Sequence, residues 1–175
     1  MLKKFKGCLL GAAIGDALGM PNESTSPNLK KMKYGYRRPY KNHPNEGLNP
    51  GQYTDDTQVM ILVATLIADG KYNDERYSVA LRELYTQGKL RFPDGSVSAV
   101  CEHPISKNIP QKGVKSTTSG CIPVAIPFGL VYPDTEPVVV TVYLNEISPV
   151  VNRLGLCNLI FVVKLSHCTE LAGIG

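Results

Sequence analysis

No stretch of this 175-residue chain is long and apolar enough to form a membrane-spanning helix, which needs about 20 such residues, and no two cysteines stand at C-x-x-C spacing. The first absence excludes a transmembrane span; the second argues against a structural zinc site. The five cysteines, Cys8, Cys101, Cys121, Cys157 and Cys168, are odd in number, scattered and mostly set in apolar runs. Reduced thiols in a cytoplasmic protein are therefore expected rather than a disulfide framework. No G-K-[ST] follows the glycine-rich opening and no strand pattern precedes it, so neither a phosphate loop nor a dinucleotide fingerprint is present. The net charge of +4 is mild and no nucleic-acid-binding motif is visible. Met1-Leu-Lys-Lys-Phe-Lys followed by apolar residues has the outline of a signal peptide, but Asp16 and regularly spaced glycines interrupt it. A helix of the folded protein is expected there instead.

What is present points to one mainly helical domain over residues 1–175, long enough to bury a core without staples. Gly7, Gly11, Gly15 and Gly19 recur every four residues along one face of the first helix. Each helix-interior glycine costs near 1 kcal/mol relative to alanine, so a tight helix–helix contact or substrate access is expected along the stripe. Residues 57–68 are densely apolar and end at Asp69-Gly70, which predicts a buried helix. A second helix is expected from a cap at Asp74 to a stop at Gly88. Residues 89–117, rich in Pro, Gly, Ser and Lys, read as a long loop. Residues 138–144, Val-Val-Val-Thr-Val-Tyr-Leu, have strong β propensity.

The most informative segment is Gly51-Gln-Tyr-Thr-Asp-Asp-Thr-Gln58, which sets two adjacent carboxylates and two hydroxyls at the start of the apolar helix. Such oxygens suit a hard cation: Mg²⁺ is commonly held by one or two carboxylates together with water and substrate oxygens. The same residues also suit ordinary helix capping, with Thr54 as cap and the acids against the positive end of the helix dipole. Taken alone, the spacing favours the cap.

Upstream lies Gly7-Cys-Leu-Leu-Gly-Ala-Ala-Ile-Gly-Asp-Ala-Leu-Gly-Met-Pro-Asn-Glu23, a glycine-rich helix with Asp16 near its end and Glu23 seven residues later. In that order, with Tyr53-Thr-Asp-Asp-Thr57 some thirty residues on, the chain resembles the ADP-ribosylglycohydrolase family. Two looser matches extend the resemblance. Thr117-Thr-Ser-Gly-Cys-Ile-Pro-Val-Ala-Ile-Pro-Phe-Gly-Leu130 is similar to the family's S/T-x-G-x-x-M-R-x-x-P-x-G-L segment, with Pro123 in the region where Arg is usual. Leu165-Ser-His-Cys-Thr-Glu-Leu-Ala-Gly173 is similar to its L-T-H segment.

The resemblance implies an all-α fold and a metal-dependent hydrolase, with a pair of Mg²⁺ or Mn²⁺ ions, that cleaves the N- or O-glycosidic bond of ADP-ribosyl groups. It implies Thr54, Asp55 and Asp56 as metal ligands. Glu23 would act near the scissile bond, alongside Asp55 and Asp56. Asp16, Ser119, Gly120, Cys121 and His167 would contact ADP-ribose or the ADP-ribosylated protein. Without the resemblance, Asp16 is equally a hydrogen-bonded Asp supporting the next loop, Glu23 an exposed loop residue, Ser119-Gly120 a turn and His167 a satisfied core or surface histidine. The helix implied by the family also conflicts with the β propensity of 138–144.

In the family a later D-x-D-T-like segment supplies the remaining ligands, and none occurs before Gly175. The expectation is thus a C-terminally truncated domain carrying the first half of a two-part metal site, whether as a shortened relative, a fragment or a disrupted frame. A non-catalytic protein that binds ADP-ribose or a cation is the alternative. The basic and aromatic run Leu29–Lys41 could stack on single-stranded nucleic acid. A solvated loop that attracts the pyrophosphate of ADP-ribose is the more economical account.

Overall fold

The computed structural model describes residues 2–23, 35–102 and 121–131. Among them the regular structure is entirely helical: α1 (Leu2–Gly19), a 3₁₀ turn (Met20–Asn22), α2 (Asp55–Ala68), α3 (Asp74–Thr86), α4 (Gly95–Glu102) and α5 (Cys121–Val131). No helix of the described residues is long and apolar enough to cross a membrane. The expected all-α architecture is what the described residues adopt. Residues 138–144, where a strand competed with helix, lie outside the described residues.

Each helix end has a local cause. Thr54, in extended backbone, caps α2 by accepting from Asp56 N–H, and Asp55 and Asp56 sit in the first turn against the positive end of the dipole. The helix stops at Asp69, after which Gly70 takes the left-handed conformation that a side chain would resist. For α3 the cap is Asn73, whose side chain accepts from Arg76 N–H, and not the expected Asp74, which is the first helical residue. Asn and Asp cap about equally well, so composition could not separate neighbours. Pro123 falls in the first turn of α5, where its missing N–H is one of the donors a helix leaves unbonded anyway.

The expected loop over 89–117 is broken by α4. Asp94 starts it, its Oδ1 accepting from Val97 N–H at 2.7 Å, and the half-buried side of this short helix rests on α3.

Helix α2 lies between its neighbours and packs against α5, α3 and α1. Val59 and Val63 point into one apolar cluster with Leu81, Leu90, Cys101, Val124 and Phe128. Met60 points the other way, onto Ile126 and Leu130, with Phe5, Leu9 and Ala12 of α1 alongside. An 11-residue helix as apolar as α5 can be satisfied only by burial on several sides, and Val124, Ala125, Ile126, Phe128 and Leu130 are all buried.

Among the described residues the glycine stripe of α1 does not make the expected tight contact. A Cβ added at Gly7, Gly11, Gly15 or Gly19 would meet nothing within 4 Å among the described residues. The same helix exposes Leu10, Ile14 and Leu18.

Candidate active site at the N-terminus of helix α2

Three segments distant in sequence meet at the start of α2. From the end of α1, Asp16 reaches the first turn of α2 and accepts four hydrogen bonds there. Its Oδ2 accepts from Thr54 N–H (3.0 Å), Thr57 N–H (3.2 Å) and the Thr57 hydroxyl (2.6 Å), while Oδ1 accepts from the Thr54 hydroxyl (2.9 Å). Asp16 is therefore a second, long-range cap on α2. By taking the Thr54 proton it also turns that hydroxyl's lone pairs outward, one of them towards Asp56 N–H at 3.4 Å.

The second segment, Lys89–Asp94, is fastened along the other side of the same turn. Gln58 uses both ends of its amide, donating to Lys89 C=O (2.8 Å) and accepting from Arg91 N–H (2.7 Å). Asp55 N–H donates to Arg91 C=O (3.0 Å), and Asp94 N–H donates to Asp55 Oδ2 (3.4 Å). Between these contacts Phe92 adopts a left-handed φ of 53°, costly for an aromatic residue and doubly so before a proline. Arg91 lies over the Tyr53 ring at 4.5 Å and donates to Tyr53 C=O.

The third segment carries Glu23, which closes the 3₁₀ turn after α1 and is itself exposed. Asn45 Nδ2 donates to Glu23 Oε2 at 2.5 Å. His43 Nδ1 accepts from Asn45 N–H (3.0 Å), which leaves the proton on Nε2 to donate to Glu23 C=O (2.7 Å).

These contacts set Asp16 and Asp94 against the first turn of α2, which carries Asp55 and Asp56, and the charge of Glu23 is felt at Asp56. Burial pushes the Asp55 carboxyl up to about 7, with the charge of Asp56 adding to it. Burial also lifts Asp56 to about 6, followed by repulsion from Asp16, Glu23 and Asp94. No lysine, arginine or histidine among the described residues forms an ion pair with Asp55 or Asp56. Carboxylates held together without a protein cation are the chemistry of a hard-cation site.

A family profile described as ADP-ribosylglycohydrolase matches residues 1–147 of the chain. The chain belongs to the ADP-ribosylglycohydrolase family. An uncharacterized protein of Archaeoglobus fulgidus is 35% identical over 134 residues, covering 75% of this chain and 44% of that protein. A protein of Acanthamoeba polyphaga mimivirus, provisionally named an ADP-ribosyl glycohydrolase, is 26% identical over 117 residues, 61% of this chain and 34% of its own length. This chain thus spans less than half the length of either relative. No solved structure matches it.

For a member of this family, the residues at the head of α2 have the chemistry of one side of a hard-cation shell such as Mg²⁺ or Mn²⁺ would take. Thr54, Asp55 and Asp56 offer oxygen alone, and the Thr54 hydroxyl is already turned to accept. No three His, Cys, Asp or Glu side chains among the described residues stand close enough to hold an ion by themselves. Water, substrate or other parts of the protein would have to complete the shell. Of the further residues singled out from sequence, Ser119, Gly120 and His167 lie outside the described residues, and Cys121 opens α5. Residues 29–34 of the basic run also lie outside, whereas Tyr36 and Tyr40 are about half exposed.

Sequence reasoning missed Asn45, His43, Gln58, Arg91 and Asp94 as parts of this site. Only Asp94 left a readable trace, as an Asp-Gly cap before a short apolar helix. The others act through contacts across 20 to 38 residues of chain.

Proposed function

We propose that this chain forms the catalytic rim of a metal-dependent hydrolase that cleaves the N- or O-glycosidic bond of ADP-ribosyl groups on proteins or other acceptors. The observation that carries the reading is the rim itself: Thr54, Asp55 and Asp56 at the head of α2, buried or half-buried, with no cation among the described residues paired to either acid.

Breaking the C1″ bond develops positive charge on the ribose and negative charge on the leaving group. Carboxylates at the rim stabilise the first, and Glu23, on an exposed turn, is placed to pass a proton to or from solvent. Asp16 contributes indirectly, fixing the Thr54 hydroxyl and the first turn of α2 so that the acids keep their places. Thr54, Asp55 and Asp56 would hold Mg²⁺ or Mn²⁺, which when bound supplies a Lewis acid that acidifies water and orients ribose hydroxyls. Ser119, Gly120, Cys121 and His167 would contact the ADP-ribose.

A second reading has its own support. Since no three ligating side chains converge among the described residues, the chain could bind ADP-ribose or one cation without cleaving anything. The two readings separate in one assay: release of ADP-ribose from an ADP-ribosylated protein pool with Mg²⁺, with EDTA, and with an Asp55→Ala/Asp56→Ala variant. Release that needs Mg²⁺ and is lost in the variant is the expected result. Folded protein that binds ADP-ribose and releases none from the pool would overturn the hydrolase reading.

A further inference from the structure

We infer that Asn45 and His43 form a clamp that positions the Glu23 carboxylate on the acidic rim, and that Asn45 is a positioning residue for the proposed reaction. The inference rests on the hydrolase reading and adds to it a residue pair 20 and 22 positions from Glu23.

Glu23 is exposed, and its charge bears on the carboxyl of Asp56. An unrestrained, solvated glutamate in that position would swing away from its like-charged neighbours into water. It is held instead at two points. His43 Nε2 fixes the backbone through Glu23 C=O, and Asn45 Nδ2 fixes the side chain through Oε2. The fold invests in this arrangement: His43 is 4% exposed and Asn45 3%, both polar and both in a segment without regular secondary structure. Burying them there costs free energy unless their hydrogen bonds are made.

Their own positions are set by a run of tight turns. His43 N–H donates to Tyr40 C=O, Glu46 N–H to His43 C=O and Leu48 N–H to Asn45 C=O. The Tyr40 ring meets the His43 ring edge-on at 4.8 Å, and Asn42 takes a left-handed φ of 65° to let the chain reverse. Leu48 is buried beside them in sequence and anchors the end of the run. Two buried polar side chains, one bonded to the Glu23 carbonyl and the other to its carboxylate, are a support for that residue.

The test is a double-mutant cycle on ADP-ribosyl release, pairing Asn45→Asp and Asn45→Ala with Glu23→Ala. Asn45→Asp keeps the volume and sets a carboxylate against Glu23. The expected result is a fall in kcat of about 10- to 100-fold for each Asn45 variant with little change in KM, and no further fall when Glu23 is already alanine. Losses that simply add would overturn the positioning role. The geometry has its own readout in the NMR shift of the Asn45 side-chain amide, compared between the parent chain and Glu23→Ala, which removes only an exposed side chain. A displaced amide proton is expected; an unchanged one would overturn the clamp. An inactive parent chain would remove the hydrolase reading, and the amide shift would still decide the clamp.

Discussion

Asp16 shows how much one side chain can organise when it is the common acceptor for four donors. Its Oδ2 serves three of them and its Oδ1 only the Thr54 hydroxyl, so the two oxygens are not equivalent. An amide in place of the carboxylate can keep oxygen at the crowded position and put nitrogen opposite Thr54, whose hydroxyl then turns to accept. Asp16→Asn is therefore expected to cost about 1 kcal/mol in denaturant unfolding and Asp16→Ala about 2 to 4, since Ala strands buried donors of Thr54 and Thr57. The Asn variant should also weaken cation binding, because the Thr54 lone pair is then engaged by the amide.

Asp55 and Asp56 carry the pH dependence. Both titrate above the ordinary value of 3.8, near 7 and 6, because burial, and after it repulsion from neighbouring acids, penalises their charge. The folded protein thus binds more protons than the unfolded chain between about pH 4 and pH 7, and stability falls as pH rises through that window. In EDTA, melting at pH 5 should exceed melting at pH 8 by several degrees; Mg²⁺ should remove most of the difference by neutralising the acids. A melt that rises towards pH 8 in EDTA would contradict this origin.

Among the elements, α2 was the most legible, because its apolar density, its Thr-Asp-Asp start and its Asp-Gly end are all local signals. The Lys89–Asp94 segment was the least, because Gln58 and Asp55 hold it through contacts that span more than thirty residues of sequence. Composition alone made it a loop, which concealed both the α4 cap and the strained Phe92. Removing the two-ended amide in Gln58→Ala is expected to cost about 1 to 2 kcal/mol and to speed hydrogen exchange at Arg91 N–H more than at α3 amides. Equal exchange at both would mean that the segment is held by something else. The α1 glycine stripe was legible as a pattern but not in its consequence, since a periodicity shows that a face is bare without showing what covers it.

At the scale of the molecule, α2 joins the core to the site. Its Val59, Val63 and Met60 side chains serve two apolar clusters, while its first turn carries the acids, so packing defects should reach the rim. Met60→Ala, at a side chain 2% exposed against Ile126 and Leu130, is expected to cost about 2 to 5 kcal/mol. The all-α class and the order of the acidic motifs could be read before any coordinates. How Asp16, Glu23 and Asp94 converge on α2 could not, since that depends on how α1 and the loops close over it.

The central claim is that this convergence makes a divalent-cation site, and the most direct measurement is a Mn²⁺ titration of the chain followed by electron paramagnetic resonance of the free ion. Saturable uptake, displaced by excess Mg²⁺ and lost in Asp55→Ala/Asp56→Ala, is the predicted result. Uptake by that variant equal to the parent's, or no uptake by the folded parent chain, would contradict it.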